Sequence, residues 1–494
     1  MAGRENQDVV LPDETNHYGN SIAFIFIFNL IVGAGALALP HSFGTSGYIT
    51  GMLLTGCVSF FAFMTCTFMV EAMSITNAVV KQMDTPSNIN TALTSDVISE
   101  QHIENENTSL LSLNSDPSND ANPFKITKRT EMAFMAELIL PRKLVLAFYS
   151  SMIIYLYGDL CIYAVAVPVS LRSVICNAGG ENDPCIGSLN RKQAYHIFLA
   201  SFICIVGPFC FFNAQKTLPM QIITTFLRWS SFLMMIIIAL IGISENQGFT
   251  KSDDINVTSV DDPPEPSSVN AFNLKNLPNL FGVCIYAFMC HHSIPSLITP
   301  IRNKKRITQI FMMDFAVVLC FYWLLCYTAM FRFSSIEEVY TNSFKQSFSF
   351  VSYYLGLFPV FALSTSFPII AITLRNNLTT LLIKSGNNFN PTIIQFGLPL
   401  LVLVPPLIVA FFTEDVSMLV SYTGSYAGVS IQYIFPSLLV YYGRKKISSF
   451  KHLTNAQSCL HRTWFSSMRW MICLAVWTVA CVVLVTVNHI QTRS

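Results

Sequence analysis

The chain has 494 residues, of which 52% are hydrophobic and only 12% are charged. This composition is too apolar for an ordinary soluble domain, and the chain is too long for a peripheral anchor, so the sequence predicts a polytopic membrane protein. The formal net charge of +1 gives no indication of a nucleic-acid partner; the lipid bilayer is the first partner that the sequence predicts.

Apolar segments long enough to cross a bilayer recur along the chain. A span needs about 20 mostly apolar residues, and this rule predicts an all-α protein with about eleven transmembrane helices. The first run follows a polar start without a cleavage site, so we expect it to be a retained span. The predicted spans lie near residues 18–41, 48–76, 144–174, 194–213, 220–243, 277–300, 308–331, 350–374, 391–412, 416–442 and 468–490.

The positions of Lys and Arg predict the orientation of these spans. With a cytosolic N-terminus, twenty of the 29 basic residues lie in cytosolic loops, eight lie outside, and Arg228 lies within a span. The predicted parts are a cytosolic N-terminus (1–17), spans one and two (18–80), a largely disordered cytosolic loop (81–143), spans three to five (144–243), an extracytosolic loop (244–275), spans six to ten (276–442), a cytosolic loop (443–467), and span eleven with a short external C-terminus (468–494).

The loop at 81–143 contains the pattern E-N-T-S-L-L, in which Glu106 precedes Leu110 and Leu111. This is similar to the acidic dileucine signal by which adaptor proteins sort membrane proteins to endosomes and lysosomes. A chance match in a polar loop is an equally good interpretation. A lysosomal or late endosomal membrane and the plasma membrane both stay open.

Two loop features predict an extracytosolic environment. The sequon at Asn256 lies in a Pro-rich, acidic loop and is the candidate for glycosylation. Cys176 and Cys185 share the short loop after the third span and could form a disulfide in an oxidising compartment. Two free thiols are the alternative, because the sequence does not determine their geometry.

Within the first span, the stretch at residues 24–40 carries Asn29, Gly33 and Gly35 near its midpoint, and Pro40 adds a further irregularity. In hydrocarbon, an unpaired backbone group costs several kcal/mol. A break at mid-depth must therefore be compensated by protein, ions or a ligand, which makes the broken span a candidate binding site.

The sixth span, residues 281–300, repeats this theme. Cys290, His291, His292 and Ser293 interrupt its apolar run, and Pro295 leaves the carbonyl of His291 without an intrahelical partner. Two broken spans that lie five apart suggest two halves of five spans each. Inverted repeats of this kind build transporters whose site lies where the broken helices meet.

Several motifs together resemble the amino acid/auxin permease family of the amino acid–polyamine–cation transporter superfamily. They are F-N-L-I-V-G-A-G-A-L-A-L-P with the following F-G-T-S-G, L-R-W-S-S in span five, A-F-M-C-H-H in span six and S-F-P-I-I-A-I-T-L-R in span eight. The resemblance implies an eleven-span fold with broken helices one and six and a five-plus-five inverted repeat. It also implies transport of amino acids coupled to sodium or protons, without indicating which solute.

The resemblance carries roles onto particular residues of the first span. Asn29 matches an asparagine that helps to hold sodium, and an interhelical hydrogen bond is the alternative. Gly33, Ala34 and Gly35 match the unwound stretch whose N–H groups hold a substrate carboxylate. Close helix packing through small residues is the alternative for the glycines.

In the eighth span, the resemblance implies a hydroxyl that completes the sodium site with Asn29. Ser364, Thr365 and Ser366 lie just before Pro368, and any of them matches that position. Hydrogen bonds from these hydroxyls to their own helix backbone are an equally common arrangement.

Ionisable residues inside the spans are the remaining candidates. An unpaired carboxylate in the middle of span three is costly, so Asp159 should be protonated or paired, and we interpret it as a proton-coupling group. Arg228 is the natural opposite charge, although it could snorkel to the cytosolic side. Glu71 and Asp314 lie near cytosolic span ends and are predicted to be interfacial.

The paired histidines His291 and His292 titrate near neutral pH, which suits a proton-linked step. A packed histidine bonded to backbone is the favoured alternative. With Cys290 and Ser293, they complete the substrate-binding prediction in the sixth span.

The sequence contains no convergent nucleophile, base and oxyanion arrangement and no phosphate-binding glycine loop. It therefore predicts no enzyme, no cofactor and no metal beyond a sodium ion.

The predicted function is secondary active transport of amino acids or similar small zwitterions by alternating access, with sodium or protons as coupling ions. The alternative is a transporter-like nutrient sensor or scaffold that binds solute and signals through its cytosolic loop. Adaptor proteins are the partners that such a loop would bind.

Overall fold

The computed structural model describes residues 18–83, 122–176, 183–211, 218–245, 271–344, 349–384, 396–450, 453 and 462–491. In these ranges the chain is almost entirely helical, apart from a small antiparallel hairpin of β1 (Pro184–Ile186) and β2 (Leu189–Asn190). The helices are α1 (Asn20–Ile31), α2 (Gly35–Ser46), α3 (Tyr48–Met83), α4 (Met132–Ile139), α5 (Arg142–Ile175), α6 (Arg191–Val206), α7 (Leu218–Ser244), α8 (Leu277–Ala287), α9 (Ile294–Ile298), α10 (Ile307–Arg332), α11 (Ser349–Lys384), α12 (Leu398–Phe412), α13 (Val416–Tyr422), α14 (Phe435–Ser448) and α15 (Met468–Gln491).

The helices confirm an all-α, multi-pass architecture. Within the described residues, eight helical stretches are long and apolar enough to cross a membrane, and the bent pair α1 and α2 raises this to nine. Helix α12 is apolar but shorter, and π-helical turns at Thr423–Gly428 and Ser430–Ile434 join α13 to α14. The count of eleven and the inverted repeat stay predictions.

Both predicted interruptions are present. Helices α1 and α2 meet at 58° across residues 32–34. In the sixth span, α8 ends at Ala287 and a 3-10 turn at His291–Ser293 precedes α9. Pro295, in the first turn of α9, lacks the N–H that would continue the helical hydrogen bonds across this break.

The two broken spans are joined at both of their ends. At one end, the Tyr18 N–H donates to the Pro300 carbonyl at 3.2 Å, and the Arg302 N–H donates to the Tyr18 carbonyl at 3.1 Å. At the other end, the Asn273 N–H donates to the Ser46 carbonyl at 3.0 Å. The two spans therefore run antiparallel, side by side, which brings their interruptions to the same depth.

Two glycines allow the backbone of α8 to pack closely against the first π turn. A Cβ atom added at Gly424 would collide with the carbonyl oxygen of Gly282, and one added at Gly282 would collide with the Ser421 carbonyl oxygen. Only glycine allows these two backbones to approach so closely. The contact holds the broken sixth span against the tenth.

The end of the predicted cytosolic loop is folded onto the membrane domain. Phe124 is buried, and its carbonyl accepts a hydrogen bond from the Ser74 hydroxyl of α3 at 2.7 Å. The Asn77 side chain accepts the Lys128 N–H at 2.9 Å. Helix α4, which follows, buries Met135 completely. The apolar run after residue 130 thus forms a helix that packs on the membrane domain.

Two acidic residues near predicted span ends are buried within the protein. Glu71 is 2% exposed and accepts two hydrogen bonds from the Arg444 guanidinium, at 2.7 and 2.8 Å. Asp314 is 0% exposed. Helices from other parts of the chain cover both residues, and the prediction that they lie at interfacial depth stays a prediction.

Several other predictions fall on loops. Cys176, at the end of α5, is joined by a disulfide to Cys185 of β1, with a Cα separation of 4.6 Å. Glu106, Leu110, Leu111 and Asn256 lie outside the described residues, as does the predicted N-terminal segment 1–17.

Candidate solute site at the two broken helices

The break in the first span leaves carbonyl groups at the end of α1, and side chains from other helices bind them. The Arg228 guanidinium of α7 donates to the Asn29 carbonyl at 3.0 Å and to the Val32 carbonyl at 3.1 Å. Since the C-terminal end of a helix carries partial negative charge, a guanidinium there is stabilising. Arg228 therefore caps the first half-helix.

One tyrosine connects the two breaks. The hydroxyl of Tyr322, on α10, lies 3.2 Å from the Ile31 carbonyl and 3.0 Å from the Ala287 carbonyl. Ile31 is the last residue of α1 and Ala287 is the last residue of α8. Tyr322 is fully buried, so the two helix ends share a donor that has no access to water.

The two glycines of the first break have different surroundings. A Cβ at Gly35 would lie 2.5 Å from the Cα of Ala287, whereas a Cβ at Gly33 would meet nothing closer than the Ile31 carbonyl oxygen at 4.0 Å. Gly35 therefore allows the close approach of α2 to the end of α8. Gly33 and Ala34 form the turn between the half-helices, at the N-terminal, partly positive end of α2.

Asn29 is engaged by its neighbours. Its side-chain oxygen accepts a hydrogen bond from the indole N–H of Trp229, whose ring stacks on Phe28 at 4.5 Å between centroids. The amide oxygen that the resemblance assigns to a sodium ion thus has a donor already. This corresponds to the interhelical hydrogen bond that the sequence left as the alternative.

The hydroxyls of the eighth span bond within their own helix. Thr365 and Ser366 each donate to the Ala362 carbonyl at 3.0 Å. In the described part of the chain, no hydrogen bond joins Asn29 to Ser364, Thr365 or Ser366. The structure does not bring the predicted sodium ligands into direct contact.

Asp159 is buried in a group of aromatic hydroxyls. It is 6% exposed, and its Oδ1 atom has no hydrogen-bond partner among the described residues. The Tyr286 hydroxyl of α8 interacts with the carboxyl group, and Tyr155 and Tyr163 lie close enough to interact electrostatically with it. Among the described residues, Asp159 forms no ion pair with Arg228, whose guanidinium is directed to the first break.

The adjacent histidines of the sixth break have different partners. His292 lies beside Tyr155, with 6.0 Å between ring centroids, and its Nδ1 atom is buried without a described partner. The His291 Nε2 atom instead lies 2.8 Å from the Thr65 hydroxyl and 3.2 Å from the Ala62 carbonyl on α3. His292 is therefore the histidine next to the Asp159 group, while His291 is packed against the second span.

The two remaining predicted residues of this break have different surroundings. Cys290 is fully buried, with its sulfur 3.6 Å from that of Cys66. Ser293 is partly buried, and its N–H bonds the Cys290 carbonyl at 3.0 Å.

Sequence reasoning did not foresee the capping residues. Arg228 was noted as a charge within a span, but no local rule connects it to carbonyls of the first span. Tyr322, Trp229 and Tyr286 gave no signal beyond being aromatic residues in apolar runs. A polar side chain near the middle of a predicted span was the only available indication.

Comparison with known proteins identifies the family. The model described as transmembrane amino acid transporter protein matches residues 119–490. "Transmembrane protein 104" of Mus musculus is 40% identical, over 95% of this chain and 96% of its own length. The Homo sapiens protein of that name is 39% identical, over 97% of each chain. "Transmembrane protein 104 homolog" of Drosophila melanogaster is 35% identical, over 95% of this chain and 97% of its own length.

These matches confirm the resemblance and the expectation of a transporter-type protein rather than an enzyme. They extend over most of the membrane domain described above. The chain belongs to the family described as transmembrane amino acid transporter protein.

Proposed function

We propose that the protein is a secondary active transporter of amino acids or similar small zwitterions, which bind between the broken first and sixth spans. The observation that carries this proposal is the pair of interrupted helices whose ends meet at Tyr322. Broken helices that face each other at mid-depth are the arrangement in which transporters expose backbone groups to a solute.

The proposed solute contacts are those of the two breaks. Backbone N–H groups of Ala34 and Gly35 lie at the positive end of α2 and suit a carboxylate. The Gly33 N–H already donates to the Ile31 carbonyl at 2.9 Å. On the opposite side, His292 and Ser293 offer polar groups to the rest of the solute, whereas Cys290 and His291 face α3. The antiparallel pairing of the two spans at both ends supports their movement as one unit during alternating access.

The coupling ion that we propose is the proton, with Asp159 as its carrier. Asp159 is buried, has an oxygen without a described partner and forms no described ion pair, so a charged state there is costly. The sodium alternative would use Asn29 with Ser364, Thr365 or Ser366. It is less favoured, because Trp229 and Arg228 already engage the side-chain and backbone oxygens of Asn29.

Reconstitution tests function and coupling together. Uptake of a mixed panel of labelled amino acids into proteoliposomes is measured with a proton or a sodium gradient imposed separately. We expect saturable uptake driven by the proton gradient, and loss of that dependence in Asp159→Asn. Ser170→Ala, in the same helix and equally buried, is the matched control. Uptake driven by sodium alone would refute the assignment of Asp159, and no uptake under either gradient would refute the transporter.

A transporter-like sensor is the second candidate. The observation in its favour is that residues 122–139 pack on α3, so the cytosolic segment is physically connected to the second span. Solute-dependent thermal stabilisation without flux would favour this function. Capture of a partner by the segment at 81–143 only in the presence of solute would support it further.

We propose that the N-terminus of the protein lies in the cytosol. The N-terminal start of the first span lies beside the basic run at 302–306, which supports a cytosolic N-terminus. Asn256 would then be glycosylated on the opposite side, and a mobility shift after glycosidase treatment, absent in Asn256→Gln, tests this.

Adaptor binding through Glu106, Leu110 and Leu111 would direct the protein to lysosomes or late endosomes. Retention at the plasma membrane after Leu110→Ala and Leu111→Ala is the corresponding test.

A further inference from the structure

A cluster of side chains that commonly bind metals lies between the second span and the break of the sixth. Cys66 of α3 and Cys290 are both fully buried, and their sulfur atoms are 3.6 Å apart. The Nε2 atom of His291 lies 3.4 Å from the Cys66 sulfur. All three donor atoms lie within 4.8 Å of one another.

Two of the three separations are close to those of ligands around one tetrahedral ion. With Zn–S bonds of about 2.3 Å and a tetrahedral angle, two thiolate sulfurs lie about 3.8 Å apart. With a Zn–N bond of about 2.0–2.1 Å, sulfur and nitrogen lie about 3.6 Å apart. The observed 3.6 and 3.4 Å are each about 0.2 Å shorter, so only small side-chain shifts are needed to admit an ion.

A fourth residue provides an independent indication. Asp314 of α10 is 0% exposed, and neither of its carboxyl oxygens has a hydrogen-bond partner among the described residues. It lies close enough to Cys66 to interact electrostatically with it. A buried carboxyl group without partners is costly unless a cation or a proton compensates it. The His291 Nδ1 atom is likewise buried without a described partner.

We infer that Cys66, Cys290 and His291 form a binding site for a thiophilic divalent cation, Zn²⁺, with Asp314 as the nearby carboxyl group. The donor set of two sulfurs and an imidazole is typical of zinc rather than of magnesium or calcium, which prefer oxygen ligands. The two cysteines release their protons on binding, and the resulting thiolates balance the +2 charge of Zn²⁺, which suits an apolar interior.

To bind the ion, His291 must give up its present hydrogen bonds. The His291 Nε2 atom now interacts with the Thr65 hydroxyl and the Ala62 carbonyl. Thr65 also bonds its own helix, at the Phe61 and Ala62 carbonyls, both at 3.0 Å. Its hydroxyl therefore stays satisfied when the imidazole turns to the metal.

The site would connect α3 to the non-helical residues of the sixth break. It lies on the side of His291, whereas the proposed solute site lies on the side of His292. Its role would be to hold the shape of the break, and its existence does not depend on whether the protein transports a solute.

Metal analysis of the purified full chain tests the site. The protein is purified without chelators, loaded with Zn²⁺, desalted and analysed by mass spectrometry for metals. We expect about one equivalent of Zn²⁺ per chain, and less than a tenth of that in Cys66→Ser or Cys290→Ser. Cys284→Ser is the matched control, because Cys284 is equally buried on α8 but lies outside the cluster. We expect it to retain zinc.

Cobalt substitution gives a second readout on the folded protein. Co²⁺ bound by thiolates shows a charge-transfer band in the near ultraviolet, which should appear in the wild type and in Cys284→Ser but not in Cys66→Ser. We expect Asp314→Asn to weaken metal affinity by about 10- to 100-fold, the usual effect of removing an outer-shell group.

Several results would overturn the inference. One is a wild-type protein that retains no stoichiometric metal after loading. Another is equal metal content in Cys66→Ser, Cys290→Ser and Cys284→Ser. A third is a Cys66–Cys290 disulfide in non-reducing peptide mass spectra, since oxidised sulfurs cannot serve as thiolate ligands. Retention of Cu⁺ instead of Zn²⁺ with the same cysteine dependence would overturn the choice of ion.

Discussion

The two interrupted spans differ in how the polar groups at their breaks find hydrogen-bond partners. At the first break, the carbonyls of Asn29 and Val32 are capped by Arg228, so the end of α1 is closed by a charge from another helix. At the sixth break, the chain places cysteine and histidine side chains at the interruption, and the Nδ1 atoms of His291 and His292 have no described partners. The first break is thus capped by a side chain from another helix, whereas the sixth break keeps buried imidazole nitrogens without described partners.

The largest expected effect is at the cap of the first break. Arg228→Ala leaves two partly buried carbonyls without donors, at roughly 1–3 kcal/mol each, so we expect a loss of about 2–6 kcal/mol in the free energy of unfolding. Thermal unfolding in detergent measures it. Arg302→Ala, an exposed arginine on the loop after α9, is the control. Equal stability of the two variants would show that the first break is not held by Arg228.

The next effect separates the two glycines of the first break. Gly35→Ala places a methyl group 2.5 Å from the Ala287 Cα, whereas Gly33→Ala meets no atom closer than 4.0 Å. Overpacking of this kind costs about 1–3 kcal/mol, so only Gly35→Ala should lower the unfolding temperature clearly. If Gly33→Ala lowers stability as much, the breaks do not meet through Gly35.

A smaller effect is expected at the link between the breaks. Tyr322→Phe removes the hydroxyl that bonds the Ile31 and Ala287 carbonyls, and we expect a loss of about 1–2 kcal/mol. Tyr327→Phe, one turn further along α10, is the control, since its hydroxyl makes a longer contact, 3.4 Å, to the Tyr48 carbonyl. An unchanged Tyr322→Phe protein would mean that the two breaks are independent.

The smallest effect concerns Glu338, on the loop between α10 and α11, whose carboxylate caps backbone N–H groups at the start of α13. Glu338 accepts the Val416 N–H at 2.8 Å, at the start of α13. Burial, and secondly Asp415, raises the pKa of Glu338 above its usual value. Protonation of Glu338 therefore stabilises the folded state. This stabilisation is fully present below the usual glutamate pKa, and it is lost as the pH rises through the raised pKa of the folded protein.

We expect the wild type to gain less than about 1 kcal/mol relative to Glu338→Gln on acidification from neutral pH, since the group is partly exposed. Unfolding temperatures across this pH range measure the difference. Glu337→Gln, an exposed neighbour, should keep the wild-type pH dependence. A parallel pH profile for wild type and Glu338→Gln would contradict the assignment.

Much of the architecture could be read from local patterns. Apolar runs predict spans because hydrocarbon excludes unpaired polar groups, and the positions of Gly33, Gly35 and Pro295 predict breaks because these residues weaken or interrupt a helix. Such rules act within a few residues of sequence. They therefore indicate where the candidate site lies.

Only the tertiary structure decides how the site is built. Arg228 and Asn29 are 199 residues apart in sequence, and nothing local indicates that one caps the carbonyl of the other. His291 and His292 are neighbours, yet the packing of α3 and α5 determines that one faces Thr65 and the other Tyr155. The burial of Asp314 likewise depends on helices far away in the chain. Span positions follow from the local cost of exposing polar groups to lipid, whereas side-chain partners follow from which helices pack together.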